Sequence, residues 1–167
     1  GSDTSSQGNA GQVTINADVV SLADFSGLSS NATKDSTGNA GQIMLNVGSL
    51  SLSNYSGFST NTEGSGSGGA INITAANTIA LEHSGISATS KGSGNAGQLN
   101  VTAGNVSLTN SAFDSGSSGE GNAGQINVDA GSISLTDRST FSSSTSGQGK
   151  GGLVSITANS VDITSSA

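Results

Sequence analysis

The chain has no cysteine, no proline and no tryptophan among its 167 residues. Without cysteine it holds no disulfide and no thiolate metal site. Charged residues make up 9% and aromatic residues 3%. Disordered chains usually carry high charge or proline and lack apolar order, so this composition argues against simple disorder. The four cations, Lys34, Lys91, Arg138 and Lys150, are scattered, and the net charge is −7. No basic stripe exists, so nucleic-acid binding and docking on an anionic membrane lack an electrostatic basis. No apolar run reaches transmembrane length, which speaks against membrane insertion. No ten-residue stretch has helical periodicity. No signal peptide is evident, and the opening Gly1-Ser2 reads as an expression scar.

What is present is glycine, 26 residues of it, with serine, threonine and asparagine around regularly placed apolar residues. That mixture suits short strands and tight turns. The pentapeptide Gly-Asn-Ala-Gly-Gln occurs at Gly8–Gln12, Gly38–Gln42, Gly94–Gln98 and Gly121–Gln125. Weaker copies run from Gly66 to Ala70 and from Gly149 to Leu153. The starts at 8, 38, 66, 94, 121 and 149 are spaced 30, 28, 28, 27 and 28 apart. A fixed period in this range is the mark of stacked repeats.

Each unit follows one script. First comes a strand with apolar residues at every second position, as in Ile43, Leu45, Val47 or Leu99, Val101, Ala103. Period-two alternation places one face in a core and the other in water. Leu45, Ile73, Val101 and Val128 are expected in one buried column, with Asn46, Thr74, Thr102 and Asp129 in water. A corner follows, holding Asp18, Gly48, Asn77, Gly104, Gly131 or Asn159. These residue types tolerate a left-handed backbone, so positive φ is expected at Gly48, Gly104 and Gly131, with Asp18 and Asn159 mimicking them. A second short strand comes next, such as Leu50 and Leu52, then a second corner with Asp24, Asn54, His83, Asn110 or Asp137. A third strand is led by Leu28, Phe58, Ile86, Phe113 or Phe141.

Such a unit has no closed core of its own and exposes both hydrogen-bonding edges. Stacking unit on unit in parallel puts like residues on like and buries the apolar columns. The expected fold is therefore all-β: one domain over residues 1–167, a right-handed parallel β-helix of about six coils with three short strands each, the last coil incomplete. Asn9, Asn39, Asn95 and Asn122 are expected to stack as one side-chain amide ladder, and Gln12, Gln42, Gln98 and Gln125 as another. Neither end shows a cap, so end-to-end self-stacking is expected of this segment, read as cut from a longer rod.

The recurring Gly-Asn-Ala-Gly-Gln-Ile/Val-x-Ile/Val-x-Ala, followed by Ser/Val-Leu/Ile/Val-Ser-Leu and Ser-x-Phe/Leu/Ile-Ser, resembles the repeats of bacterial filamentous haemagglutinin-like exoproteins. The likeness covers nearly the whole chain. It implies a segment of a long extracellular stalk, secreted or at the cell surface through an outer-membrane secretion partner. It also implies a role in adhesion to a host or neighbouring cell-surface glycan or protein. The family's N-terminal secretion-recognition region is not evident, and the regularity also suits an engineered or trimmed segment.

The remaining site readings are bland. The glycine loops carry neither the lysine nor the helix of a P-loop, so Gly8, Gly38, Gly94 and Gly121 read as turn residues. The Gly-Gly-x-Gly-x-Asp calcium nonapeptide is absent. Asp114, Glu120, Asp129, Asp137 and Arg138 cluster in sequence and raise a polysaccharide-cleaving or polysaccharide-binding alternative. They fall on different strands and turns, and no aromatic platform for a sugar is apparent beside them. His83, the only histidine, reads as a corner residue, and one imidazole does not build a zinc site. An ice-binding face would need regular outward threonines, whereas these columns mix Thr14, Met44, Asn72 and Asp129. No catalytic residue, metal site or cofactor is expected.

Overall fold

In the computed structural model, which describes residues 1–165, the chain forms a β-solenoid of about five turns. Long strands β1 (Gln12–Leu22), β3 (Gln42–Ser53), β5 (Ala70–Glu82), β7 (Gln98–Thr109), β9 (Gln125–Thr136) and β11 (Leu153–Thr164) stack in sequence order as one parallel sheet. Short strands β2 (Gly27–Ser29), β4 (Gly57–Ser59), β6 (Gly85–Ser87), β8 (Ala112–Asp114) and β10 (Thr140–Ser142) stack as a second. A third column is a line of single parallel bridges through Thr4, Ala32, Thr62, Ser90, Ser117 and Thr145. No helix occurs among the described residues.

Two details differ from the sequence reading. There are six long strands but five short ones, because the sixth long strand has no short strand after it among the described residues. The expected first and second strands are also one continuous strand. Inward residues run Ile43, Leu45, Val47, then Leu50 and Leu52, with Gly48 and Ser49 both outside the core. The inward phase slips by one residue there, and the ladder skips the Asp18/Gly48 pair while continuing on both sides. In β5 the same place holds one extra residue, so that Val47 pairs with Ala75 but Ser49 with Thr78. This is a bulge, which bends a strand without ending it.

The corner is therefore made in extended backbone, and no glycine has positive φ. The expectation for Gly48, Gly104 and Gly131 is overturned, as is that for Asp18 and Asn159. These glycines answer to space instead. A Cβ on Gly48 would lie 2.5 Å from the Asp18 carbonyl oxygen of the coil before it, and one on Gly104 2.6 Å from that of Asn77. The left-handed backbone sits one corner further on. There Asp24, Phe25, Asn54, Tyr55, His83, Asn110, Asp137 and Arg138 have φ between 46° and 65°.

The core is a set of vertical columns. Leu45, Ile73, Val101 and Val128 are buried, while Asn46, Thr74, Thr102 and Asp129 are exposed. A second column stacks Phe58, Ile86 and Phe113 with partly buried Leu28 and Phe141 at its ends. Phe113 and Phe141 are ring-stacked with centroids 5.1 Å apart. Leu45→Ala should lower unfolding stability by about 2–4 kcal/mol, because the coils above and below hold the cavity open. Thr74→Ala, on the outward face of the neighbouring coil, should change it by less than about 0.5 kcal/mol. Urea denaturation of both variants checks the contrast.

Candidate functional site

The glycine loops come first because they recur. In the second coil the amide of Gly38 donates to Ser36 Oγ, that of Asn39 to Asn9 Oδ1, that of Ala40 to the Ser67 carbonyl, and that of Gly41 to the Ser30 carbonyl. All four amides point into the solenoid's own bonding, so the loop presents no cradle to an anion. The glycines at the first and fourth positions are there for close approach between coils. A Cβ on Gly38 would fall on the Gly8 carbonyl, and one on Gly97 on the Gly69 carbonyl. The carbonyl of the glycine at the fourth position also bonds a hydroxyl from the third face, with Ser115 Oγ 2.5 Å from the Gly97 oxygen and Ser143 Oγ 2.6 Å from that of Gly124.

The asparagine column is a ladder of a different form from the one expected. Each Oδ1 accepts from a backbone amide of the following coil: Asn9 from Asn39, Asn39 from Ser67, Asn95 from Asn122, and Asn122 from Lys150, all at 2.8–2.9 Å. Asn31 and Asn61 repeat the arrangement on another edge. The glutamines align in register, Gln12 with Gln42 and Gln98 with Gln125, but their side chains do not bond one another. Gln12 reaches Thr14 and Met44 instead. Amide-to-amide bonds occur on the outward face of the long sheet, from Asn100 to Asn72 and from Asn127 to Asn100.

The acidic residues do not converge on a centre. Asp114 leaves β8 and accepts from the Gly116 amide at 2.8 Å, Asp129 is exposed on β9, Glu120 lies in the glycine loop, and Asp137 is at the corner after β9. Among the described residues no three His, Cys, Asp or Glu side chains group as metal ligands. His83 Nδ1 is 3.9 Å from Glu82 Oε1. Lys91 Nζ bonds Glu63 Oε1 at 2.8 Å, and that bond, with the lysine's charge, holds the Glu63 carboxyl below its ordinary range. Its contribution is present above the ordinary glutamate range and fades as pH falls through the lowered value. Both side chains are exposed to solvent, which leaves it small and salt-sensitive.

The feature that the sequence reading missed lies at the left-handed corner. Phe25 and Tyr55 project from equivalent places on successive coils, 79% and 70% exposed, with ring centroids 5.4 Å apart and planes within 11°. They stand on the first two coils, away from the acidic residues between β8 and β10. In the next two coils the corner is one residue shorter. Ser53 and Gly57 are separated by Asn54, Tyr55 and Ser56, whereas Glu82 and Gly85 are separated by His83 and Ser84 alone. Thr109 and Ala112 are likewise separated by Asn110 and Ser111. The longer corner returns with Asp137, Arg138 and Ser139. The missing projections leave an open cavity of about 440 Å³ with Tyr55 at one end and Arg138 at the other. His83, Ser84, Asn110 and Ser111 line it between them. The signal was legible: two aromatics outside every core column, at one repeat position.

No protein-family model, curated protein or solved structure gives a significant match to the chain.

The glycine columns make a sharp test. Gly97→Ala should cost about 2–3 kcal/mol through backbone displacement between coils. Gly151→Ala, where a Cβ would meet nothing within 4 Å, should stay within about 0.5 kcal/mol. Equal effects in thermal unfolding would mean that close approach does not select these glycines.

Proposed function

We propose that the chain is a non-catalytic stalk or surface-display segment of a large secreted, adhesin-like exoprotein. On this reading it works outside a bacterial cell, either in adhesion to a cell-surface glycan or protein or as a rigid spacer for domains that adhere. The observation that carries the reading is the stack itself. Each coil hydrogen-bonds only to its neighbours, so length is added by whole units without altering the cross-section. Six long strands spaced by about 4.8 Å give a rod of roughly 24 Å from first to last. The repeat's resemblance to filamentous haemagglutinin-like exoproteins supports the adhesive setting and the outer-membrane export partner.

The bonded asparagines of the long sheet bear on the ice-binding alternative. Asn72, Asn100 and Asn127 spend their amides on one another, which leaves fewer groups to order water.

The test is a length series. The chain is placed between a bacterial surface anchor and a reporter domain, and the capture of beads coated with the reporter's ligand is measured. Removing residues 66–93, one whole unit, should shorten the reach by about 4.8 Å and reduce capture, while the reporter's affinity in solution is unchanged. Capture indifferent to the number of units would sink the spacer reading. Release of reducing ends from an acidic polysaccharide by the isolated chain would replace it with the enzymatic one.

A further inference from the structure

The corner between the long and short strands is shortened in two successive coils, and that departure has the makings of a recognition site. From it we infer that the cavity between Tyr55 and Arg138 binds a short carboxylated oligosaccharide, its sugar ring against Tyr55 and its carboxylate on Arg138. This goes beyond the stalk reading and does not depend on it, since the site is complete within the residues described.

Four observations point to that chemistry. First, Phe25 covers one face of the Tyr55 ring, and Tyr55 in turn borders the cavity on the side of the shortened coils. An exposed aromatic face supplies an apolar surface matched to the C–H face of a pyranose, and the ring stack holds it in place. Secondly, the middle of the cavity is lined by small or hydrogen-bonding groups, among them His83, Ser84, Asn110 and Ser111. The serine hydroxyls are committed to the turn, Ser84 donating to the Glu82 carbonyl and Ser111 to that of Thr109, so His83 and Asn110 are left to meet sugar hydroxyls over a largely apolar floor.

Thirdly, the charge is out of character for the molecule. The chain has 11 acidic residues and four basic ones, yet no carboxylate lines this cavity and one of the four cations does. The neighbouring acids, Glu82 and Asp137, lie outside its lining. A guanidinium is the side chain best shaped to take a carboxylate through two parallel bonds. Tyr55 and Arg138 stand three coils apart, roughly 14 Å along the rod, so one sugar residue does not bridge them and a short oligosaccharide does.

Fourthly, both rim residues are held at a strained backbone. Tyr55 has φ 64° and Arg138 has φ 65°, where glycine or asparagine would sit with less cost. The same corner in the shortened coils closes with a single left-handed residue, His83 or Asn110. Each longer corner, at 24–25, 54–55 and 137–138, sets two successive residues left-handed, so the turn itself carries the bulky second residue out to the rim.

The chain carries its own reporter, because Tyr55 is its single tyrosine and tryptophan is absent. Intrinsic tyrosine fluorescence is followed as trigalacturonic acid is added, with maltotriose as the neutral probe. The expected result is a saturable change with trigalacturonic acid and at least about tenfold weaker response to maltotriose. In calorimetry, Tyr55→Phe should keep the binding and Tyr55→Ser should weaken it by about tenfold or more. Arg138→Gln should abolish the preference for the acidic probe. Both positions of change are exposed, and far-ultraviolet circular dichroism should stay that of the parent chain. The inference is overturned by no saturable change up to about 10 mM trigalacturonic acid, by undiminished binding in Tyr55→Ser, or by an acid preference that survives Arg138→Gln. None of those outcomes alters the bead-capture result on which the stalk reading depends.

Discussion

Everything in this molecule follows from two parallel backbones lying one sheet spacing apart, over and over. The hydrogen bonds between coils fix that distance at about 4.8 Å, and every residue must live with a copy of itself directly above and below. Where the backbone turns tightly, there is no room for a side chain, and the column becomes glycine: Gly38, Gly66, Gly94, Gly121 and Gly149. Where side chains face inward, the column becomes aliphatic or aromatic and excludes water. Where they face outward, polar groups bond their own copies, as Asn72, Asn100 and Asn127 do. The repeat is the sequence image of that constraint. It explains why 26 glycines coexist with a dense core in a chain with so few aromatic residues.

The period, the parallel stacking and the inward columns were legible because each is written several times. One unit could mislead, but Leu45, Ile73, Val101 and Val128 in the same phase leave a single register. What was not legible concerns how a given residue type serves its place. Glycine has two virtues, freedom at positive φ and the lack of a Cβ, and sequence does not say which one is in use. At Gly48, Gly104 and Gly131 it is the second, and the left-handed turn falls to Asn54, His83 and Asn110 instead. The glutamine ladder failed for a related reason. Register brings Gln98 beside Gln125, but alignment of backbones does not bond the ends of two flexible side chains.

A repeat also teaches by its irregularities. Positions that must match their neighbours are spoken for by stability, so specific chemistry is free to enter only where the match is relaxed. The left-handed corner is such a place. It varies in length from coil to coil, and it carries Phe25, Tyr55, His83 and Arg138 outside the core. His83 and Arg138 stand out in the sequence by type, whereas Phe25 and Tyr55 pass for core aromatics until the columns are assigned. The bulge in β5, absorbed without a break in the sheet, shows how a solenoid tolerates such a local change.

The asparagine ladder carries an arrow. In each rung the side-chain oxygen belongs to the earlier coil and the backbone amide to the later one, from Asn9 and Asn39 through to Asn122 and Lys150. Asp3, Asn31 and Asn61 point the same way on the neighbouring edge. On these two edges a finished coil therefore displays its side-chain acceptors on the side where the next stretch of chain arrives. At the left-handed corner the direction is reversed, with Ser111 Oγ accepting from the Ser84 amide and Ser139 Oγ from that of Ser111. Along the asparagine columns, growth from the N-terminal side meets a surface already set to receive it, while growth from the other side must order its own asparagines first. On the asparagine edges the two ends of the rod are thus unequal in kind even though every coil has nearly the same shape.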